Sequence, residues 1–149
     1  MFATIACKQP ETNIITEPFT QEQAKITQEI NEIFQAGKAK DFEKLEGFHL
    51  NSPKFTKYDN DSPLRQNYAQ NTEYEKAVFS SVDNFNFKIN ELKVDVFGKV
   101  AVATFVMPYD AQIQGAKLID TARATFVLID DAGKWKITHE HFSSFKTPK

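Results

Sequence analysis

Gly133-Lys134-Trp135-Lys136-Ile137-Thr138-His139-Glu140-His141-Phe142-Ser143 is the stretch on which the reading of this chain turns. Gly133 ends the turn Asp130-Asp131-Ala132-Gly133, and β-branched and aromatic residues follow. Residues 134–144 are therefore predicted as the last strand of a hairpin. Successive side chains of a strand leave by opposite faces. Trp135, Ile137, His139, His141 and Ser143 are expected on one face. Lys136, Thr138, Glu140 and Phe142 are expected on the other.

Working outward from that strand, the period stays near two as far back as Phe85. Residues 116–129 read as a long strand. Val100 to Met107 reads as a strand buried on both faces, with Pro108 marking a bulge, an edge or an end. Gly98-Lys99 fits a two-residue hairpin, before which Leu92, Val94 and Val96 alternate with polar residues. Upstream the period is helical. Thr20 is expected as N-cap with Gln23 as its capping-box partner, and Phe19 and Ala24 as a staple. Ile26, Ile30, Ile33 and Phe34 make one helical face, and Gly37 is expected to end it in a left-handed conformation. Asp41 caps a second helix carrying Phe42, Leu45 and Phe48. A short strand is predicted over 54–58, then a turn or short helix capped by Ser62 with Pro63 at its first position. A third helix follows with a Thr72–Glu75 capping box, ending near Asp83-Asn84. Helices first, then a meander of about four antiparallel strands, make an α+β domain.

The 149 residues carry 18 basic and 20 acidic side chains, a net charge of −2, with fourteen Phe, three His and one Cys. That length makes one domain able to bury about two-thirds of its unfolded surface. A near-neutral balance offers no electrostatic footprint for nucleic acid. One Cys forms neither an internal disulfide nor a multi-thiolate zinc site. No run of about 18 apolar residues predicts a transmembrane helix. Residues 1–18 are expected to be a flexible tether and 19–149 the domain. As written, the start implies a cytoplasmic protein, because Met1 to Ala6 is too short for a signal-peptide core. Thr4-Ile5-Ala6-Cys7 is also similar to the end of a bacterial lipoprotein signal. With a start further upstream, Cys7 would then carry a membrane anchor.

The Gly-Lys-Trp-x-Ile-x-His-x-His-x-Ser tail, with Thr121-Ala122-Arg123-Ala124-Thr125-Phe126 before it, resembles the closing strands of SnoaL-like domains. These belong to the nuclear transport factor two and ketosteroid isomerase superfamily. The tail is also similar to that of the association domain of calcium/calmodulin-dependent kinase. The resemblance covers residues 19–145. It implies a cystatin-like cone, a curved antiparallel sheet wrapped around the first helix, with dimers formed through the outer sheet face. It implies no particular activity, since this fold hosts isomerases, cyclases, dehydratases and assembly modules.

The candidate site residues follow from these strands. His139 and His141 are read as hydrogen-bonded histidines in a core or dimer interface, or as a general base in a pocket. As metal ligands they would need a third, and His49 is the only other imidazole, so no metal is expected. The resemblance to the kinase domain turns the Glu140 face into the cone. There a Phe-rich wall would raise its pKa, and Arg123 would be its counter-charge or would hold an anionic ligand. A surface Glu–Arg pair is the alternative. Tyr58 and Tyr109, each followed by Asp, are the pieces an isomerase uses on an enolate, or else strand-end residues. Residues 20–37 lack the tyrosine that the isomerase carries in its first helix. Three functions stay open. One is a domain binding a small hydrophobic or anionic ligand in the cone. Another is an enzyme using Glu140 or a histidine as base, with Arg123 as anion stabiliser. The third is a homodimeric assembly module. No cofactor is expected.

Overall fold

The computed structural model describes residues 13–60 and 62–145, so the expectations for Cys7 and the first twelve residues lie outside it. The elements are α1 (Thr20–Ala39), α2 (Phe42–Gly47), β1 (Thr56–Asp59), β2 (Ser62–Gln66), α3 (Tyr68–Ser81), β3 (Val82–Phe87), β4 (Asn90–Phe97), β5 (Val100–Ile113), β6 (Ala116–Asp131) and β7 (Lys134–Ser144).

The apolar stripe of α1 is buried as its period requires, with Ile26 and Ile30 fully enclosed. Its ends differ from expectation. Thr20 does not cap: Phe19, at φ 45°, stands at the N-cap position without a side-chain hydrogen bond. Gln23 instead donates its amide to the Val94 carbonyl at 3.1 Å, tying α1 to β4. Gly37 lies inside the helix, and Lys40 at φ 57° takes the left-handed position. What requires glycine at 37 is close approach. A Cβ there would sit 2.4 Å from the Phe79 ring of α3. Gly37→Val is expected to destabilise by about 1–3 kcal/mol through overpacking. Urea unfolding measures this, and adding Phe79→Ala should recover part of the loss.

Asp41 caps α2, its carboxylate accepting from the Lys44 N–H at 3.1 Å. The turn or short helix expected at Ser62-Pro63 is instead strand β2. Pro63, which has no N–H to give a neighbour, is tolerated there because β2 is an edge strand. The capping box of α3 also differs. Asn67 and Gln70 cap one another reciprocally, both at 3.0 Å, which starts the helix earlier and leaves Thr72 and Glu75 within it.

The strands form one sheet in the order β2-β1-β7-β6-β5-β3, with β4 also paired to β5. The antiparallel meander β4-β5-β6-β7 is as predicted. Pro108 does not end β5. It falls where the neighbour of β5 changes from β4, paired as far as Val106, to β3, paired from Tyr109. The missing N–H therefore costs no ladder bond at the handover. One pairing was not predicted: β1 lies parallel to β7, matching Thr56, Lys57 and Tyr58 to His139, Glu140 and His141.

A register shift in β7 governs everything that follows. Val127 of β6 pairs with His139 and Leu128 with Ile137, so Thr138 is an extra residue, a β-bulge. Below it, Phe48 and Leu50 bond the Ile137 backbone at 2.9 and 2.8 Å; above it, β1 takes over. A bulge moves all later side chains to the opposite face. Trp135 and Ile137 are buried, and after Thr138 it is Glu140 that is buried while His141 is exposed. Strict alternation had placed all four of Trp135, Ile137, His139 and His141 together.

The space between α1 and the sheet is filled by phenylalanine. Phe34 lies with its ring centroid 5.4 Å from Phe87, 5.9 Å from Phe105, 6.4 Å from Phe126 and 6.5 Å from Phe142. Ring pairs at these separations add to the stabilisation that burial of area gives.

Candidate functional site

Beside this aromatic wall the inner face becomes polar. Gln66, Lys57, Glu140 and Phe126 are register neighbours across β2, β1, β7 and β6 and so form one row. Lys57 is 3% exposed and Glu140 1%. The Lys57 Nζ lies 2.9 Å from Glu140 Oε2 and 2.9 Å from Glu75 Oε1 on α3. The His49 Nε2 lies 2.8 Å from Glu140 Oε1 and 3.6 Å from Glu75 Oε1. The segment after α2, bonded to Ile137, holds His49 in this position.

The protonation states follow from the partners. The His49 Nδ1 faces the Leu45 carbonyl at 3.1 Å, which only accepts. Its Nε2 faces a carboxylate. Both nitrogens therefore donate, and His49 is an imidazolium. Burial alone would lower its pKa, but Glu75 and Glu140 outweigh burial and raise it. Burial alone would raise Glu140, but Lys57 and His49 hold it well below the usual carboxylate range. Lys57 is likewise raised by the two carboxylates against the cost of burial. Two cations and two anions leave the cluster neutral, which is how four buried charges are tolerated.

Glu140 thus reaches the cone interior as the family resemblance implied, but in a state opposite to that of a general base. Its cation partners are His49 and Lys57, not Arg123. Arg123 pairs in register with Ser143, on the outer face of the sheet, with its guanidinium 5.4 Å from the Phe145 ring. Tyr58 is also outside. Its ring stands 6.4 Å from His139 and 6.3 Å from His141. The Thr56 hydroxyl lies 2.8 Å from the His139 Nδ1. Burial, then the proximity of His141, lowers the pKa of His139. Tyr109 is half-buried, its ring 5.9 Å from Phe85.

Lys57 and Glu75 as site residues, and the pairing of His49 with Glu140, are absent from the sequence reading. One signal was available: Phe55 and Lys57 alternate onto the same strand face, and Phe55 is an obvious core residue. The donor atoms of His49, Glu75 and Glu140 lie within 4.8 Å of one another, close enough for a metal ion. The Lys57 ammonium already stands between the two carboxylates, so the place a cation would take is filled by the chain's own.

A groove of about 380 Å³ opens beside α2, with Glu46, His49, Tyr68 and Lys136 in its wall. The Tyr68 hydroxyl donates to Glu46 at 2.8 Å; burial and that carboxylate push its pKa up to about 12. Lys136 donates its ammonium to the Gly47 carbonyl at the end of α2.

Comparison with known proteins agrees with this architecture. The chain is similar to a nuclear transport factor 2-like superfamily protein from Salmonella enterica, with 19% identity and a TM-score of 0.78 over 87% of this chain and 95% of that one. It is similar to a provisionally named dehydratase of the NTF2-like family from Streptomyces avermitilis, with 16% identity and a TM-score of 0.77 over 88% and 100%. It is also similar to the CaMKII hub homology domain of Chlamydomonas reinhardtii, with 19% identity and a TM-score of 0.68 over 84% and 99%. At these identities the likeness establishes the fold, an NTF2-like α+β cone. No curated protein matches the sequence. The SnoaL-like domain family model matches residues 26–147, which is most of the chain. The chain belongs to the SnoaL-like domain family.

Proposed function

We propose that this domain acts by self-association, forming a two-fold dimer through the outer face of its sheet. The uncovered sheet face carries this reading. The helices pack on the inner side, while the outer face presents three register rows. These are Val102, Val127, His139 and Thr56; Thr104, Thr125, His141 and Tyr58; and Val106, Arg123 and Ser143. Most of these side chains are half-buried or exposed in the single chain, Tyr58 at 41%. An apolar and aromatic centre, an arginine and a charged border are the composition of an interface. Lys93 and Asp95, ion-paired on β4, supply the border. A two-fold axis sets the same patch of each copy against the other, as a homodimer requires. The likeness to a hub domain supports the same reading. The filled cone and the low pKa of Glu140 favour it over ligand capture or base catalysis there.

Sedimentation at micromolar concentration should give a dimer. Val127→Glu places a charge at the patch centre and should weaken the dimer at least 100-fold, while Glu91→Lys, at the exposed start of β4, should not. Protonation of His139 on this face should also weaken it at pH 5 relative to pH 8. A monomer at every concentration, or a dimer indifferent to Val127→Glu, would overturn the reading.

A further inference from the structure

Two of the three imidazoles take no part in the buried cluster. His139 and His141 leave β7 by the same outer face, two residues and about 6.6 Å of strand apart. Both rings stand against Tyr58 of β1, with centroids 6.4 and 6.3 Å from its own. The Thr56 hydroxyl engages the His139 Nδ1 at 2.8 Å and leaves Nε2 open. Burial and the nearness of His141 lower the His139 pKa below the ordinary 6.5. At pH 7 its Nε2 therefore offers a lone pair, the form in which imidazole binds a metal. His141 is exposed, with no hydrogen-bond partner among the described residues.

Two nitrogens are half of what a structural zinc ion takes. Such sites hold four ligands, with zinc–nitrogen bonds of about 2.0–2.1 Å. The third imidazole of the chain is not available to complete the set, because His49 is bonded to Glu140 on the inner side of the sheet. A second copy of the same face would complete it.

We propose that the outer face carries half of a transition-metal site, and that His139 and His141 of two copies give four nitrogens to one zinc ion across the two-fold axis. This rests on the dimer proposed above and names what fastens it. The two histidines occupy the first two of its three rows, between β6 and β1. An axis through the patch sets residues beside it against their own copies. An all-imidazole set suits zinc, copper or nickel, whereas magnesium and calcium require oxygen ligands. Thr56 has the place of a supporting partner. With Nε2 on the ion, the His139 Nδ1 carries the ring proton and donates it to the Thr56 hydroxyl, which fixes the ring. Arg123, the cation one row beyond His141, has its guanidinium 5.4 Å from the Phe145 ring.

The test uses the full chain freed of metal with EDTA, with zinc chloride as the probe. Sedimentation should show the dimer dissociation constant fall at least 100-fold on adding zinc, with saturation at one ion for two chains. His139→Gln and His141→Gln should each lose this gain, so that zinc changes their dissociation constants less than threefold. Thr56→Val should weaken zinc binding about tenfold, as loss of a supporting hydrogen bond does. Cys7→Ser should keep the whole gain, which separates the site from thiolate binding. A metal-free dimer that Val127→Glu weakens, but that zinc does not tighten, would overturn the zinc site and leave the dimer standing. Uptake of one zinc per chain would do the same. A chain that stays monomeric with zinc and without it would overturn both.

Discussion

Lys57→Met should lower the unfolding free energy by about 3–5 kcal/mol, the loss typical of removing one partner from a buried ion pair. A lysine on an open surface would change by no more than about 0.5 kcal/mol. The difference arises from what is left behind. Without the ammonium, Glu75 and Glu140 remain buried with one imidazolium between them, and Glu140 Oε2 loses its 2.9 Å partner. The same reasoning predicts the rescue. Adding Glu140→Leu removes the stranded charge beside the Phe126 and Phe142 rings, which lie 5.5 Å apart. His49 and Glu75, 3.6 Å apart, then remain as a balanced pair. The double variant should recover about 2 kcal/mol or more of the loss, read from urea midpoints at constant m-value. Additive losses would show that the two groups do not act on one another. The Lys57→Met variant should also bind a divalent cation such as Mn²⁺ more tightly than the wild type, because the three donors lose the resident cation.

The fold was legible in the sequence wherever period and turn chemistry set it. The Gly98-Lys99 and Asp130-to-Gly133 turns, the stripe of α1 and the limits of β7 all follow from local grammar. Three features did not follow, each for a physical reason. The bulge at Thr138 has no side-chain signature; it arises because two different segments pair with β7 below and above that residue. The parallel partnership of β1 with β7 joins residues more than eighty positions apart, which no local pattern encodes. The capping boxes were misplaced because Thr20, Thr72 and Glu75 match the motif, while Asn67 and Gln70 match it as well and lie nearer the end of β2. The site suffered most from the bulge. Glu140 was on the page as a candidate, but its partners depended on a face that strict alternation could not assign. Lys57 was missed because lysine is almost never fully buried unless paired, and its two carboxylate partners lie on two other segments, α3 and β7.

Stability should fall on both sides of a window between about pH 4.5 and pH 6.5, and the alkaline side should belong to His49. The two limbs have opposite signs. The folded pKa of Glu140 is lowered from an ordinary 4.5. Its contribution is complete above the unfolded value and is lost as pH falls toward the folded one. The folded pKa of His49 is raised from an ordinary 6.5. Its contribution is complete below the unfolded value and is lost as pH rises through the folded one. His139, lowered from 6.5, works against His49 in this range: its contribution is present above 6.5 and lost below. The wild-type curve alone therefore mixes two histidines, and the difference from a His49→Gln variant separates them. That difference should be largest below pH 6.5 and should shrink steadily toward pH 9, at about 1.4 kcal/mol for each pKa unit between folded and unfolded His49. A His139→Gln difference should run the other way, growing from pH 5 to pH 7. Thermal unfolding at half-unit pH steps resolves this, since 1 kcal/mol moves Tm by about 2–4 °C in a chain of this size. A His49→Gln difference that instead grows from pH 5 to pH 7, in the sense expected of His139, would mean that the imidazole is neutral in the folded protein. The cluster would then carry one net negative charge in the interior, and the balance of two cations against two anions would not hold.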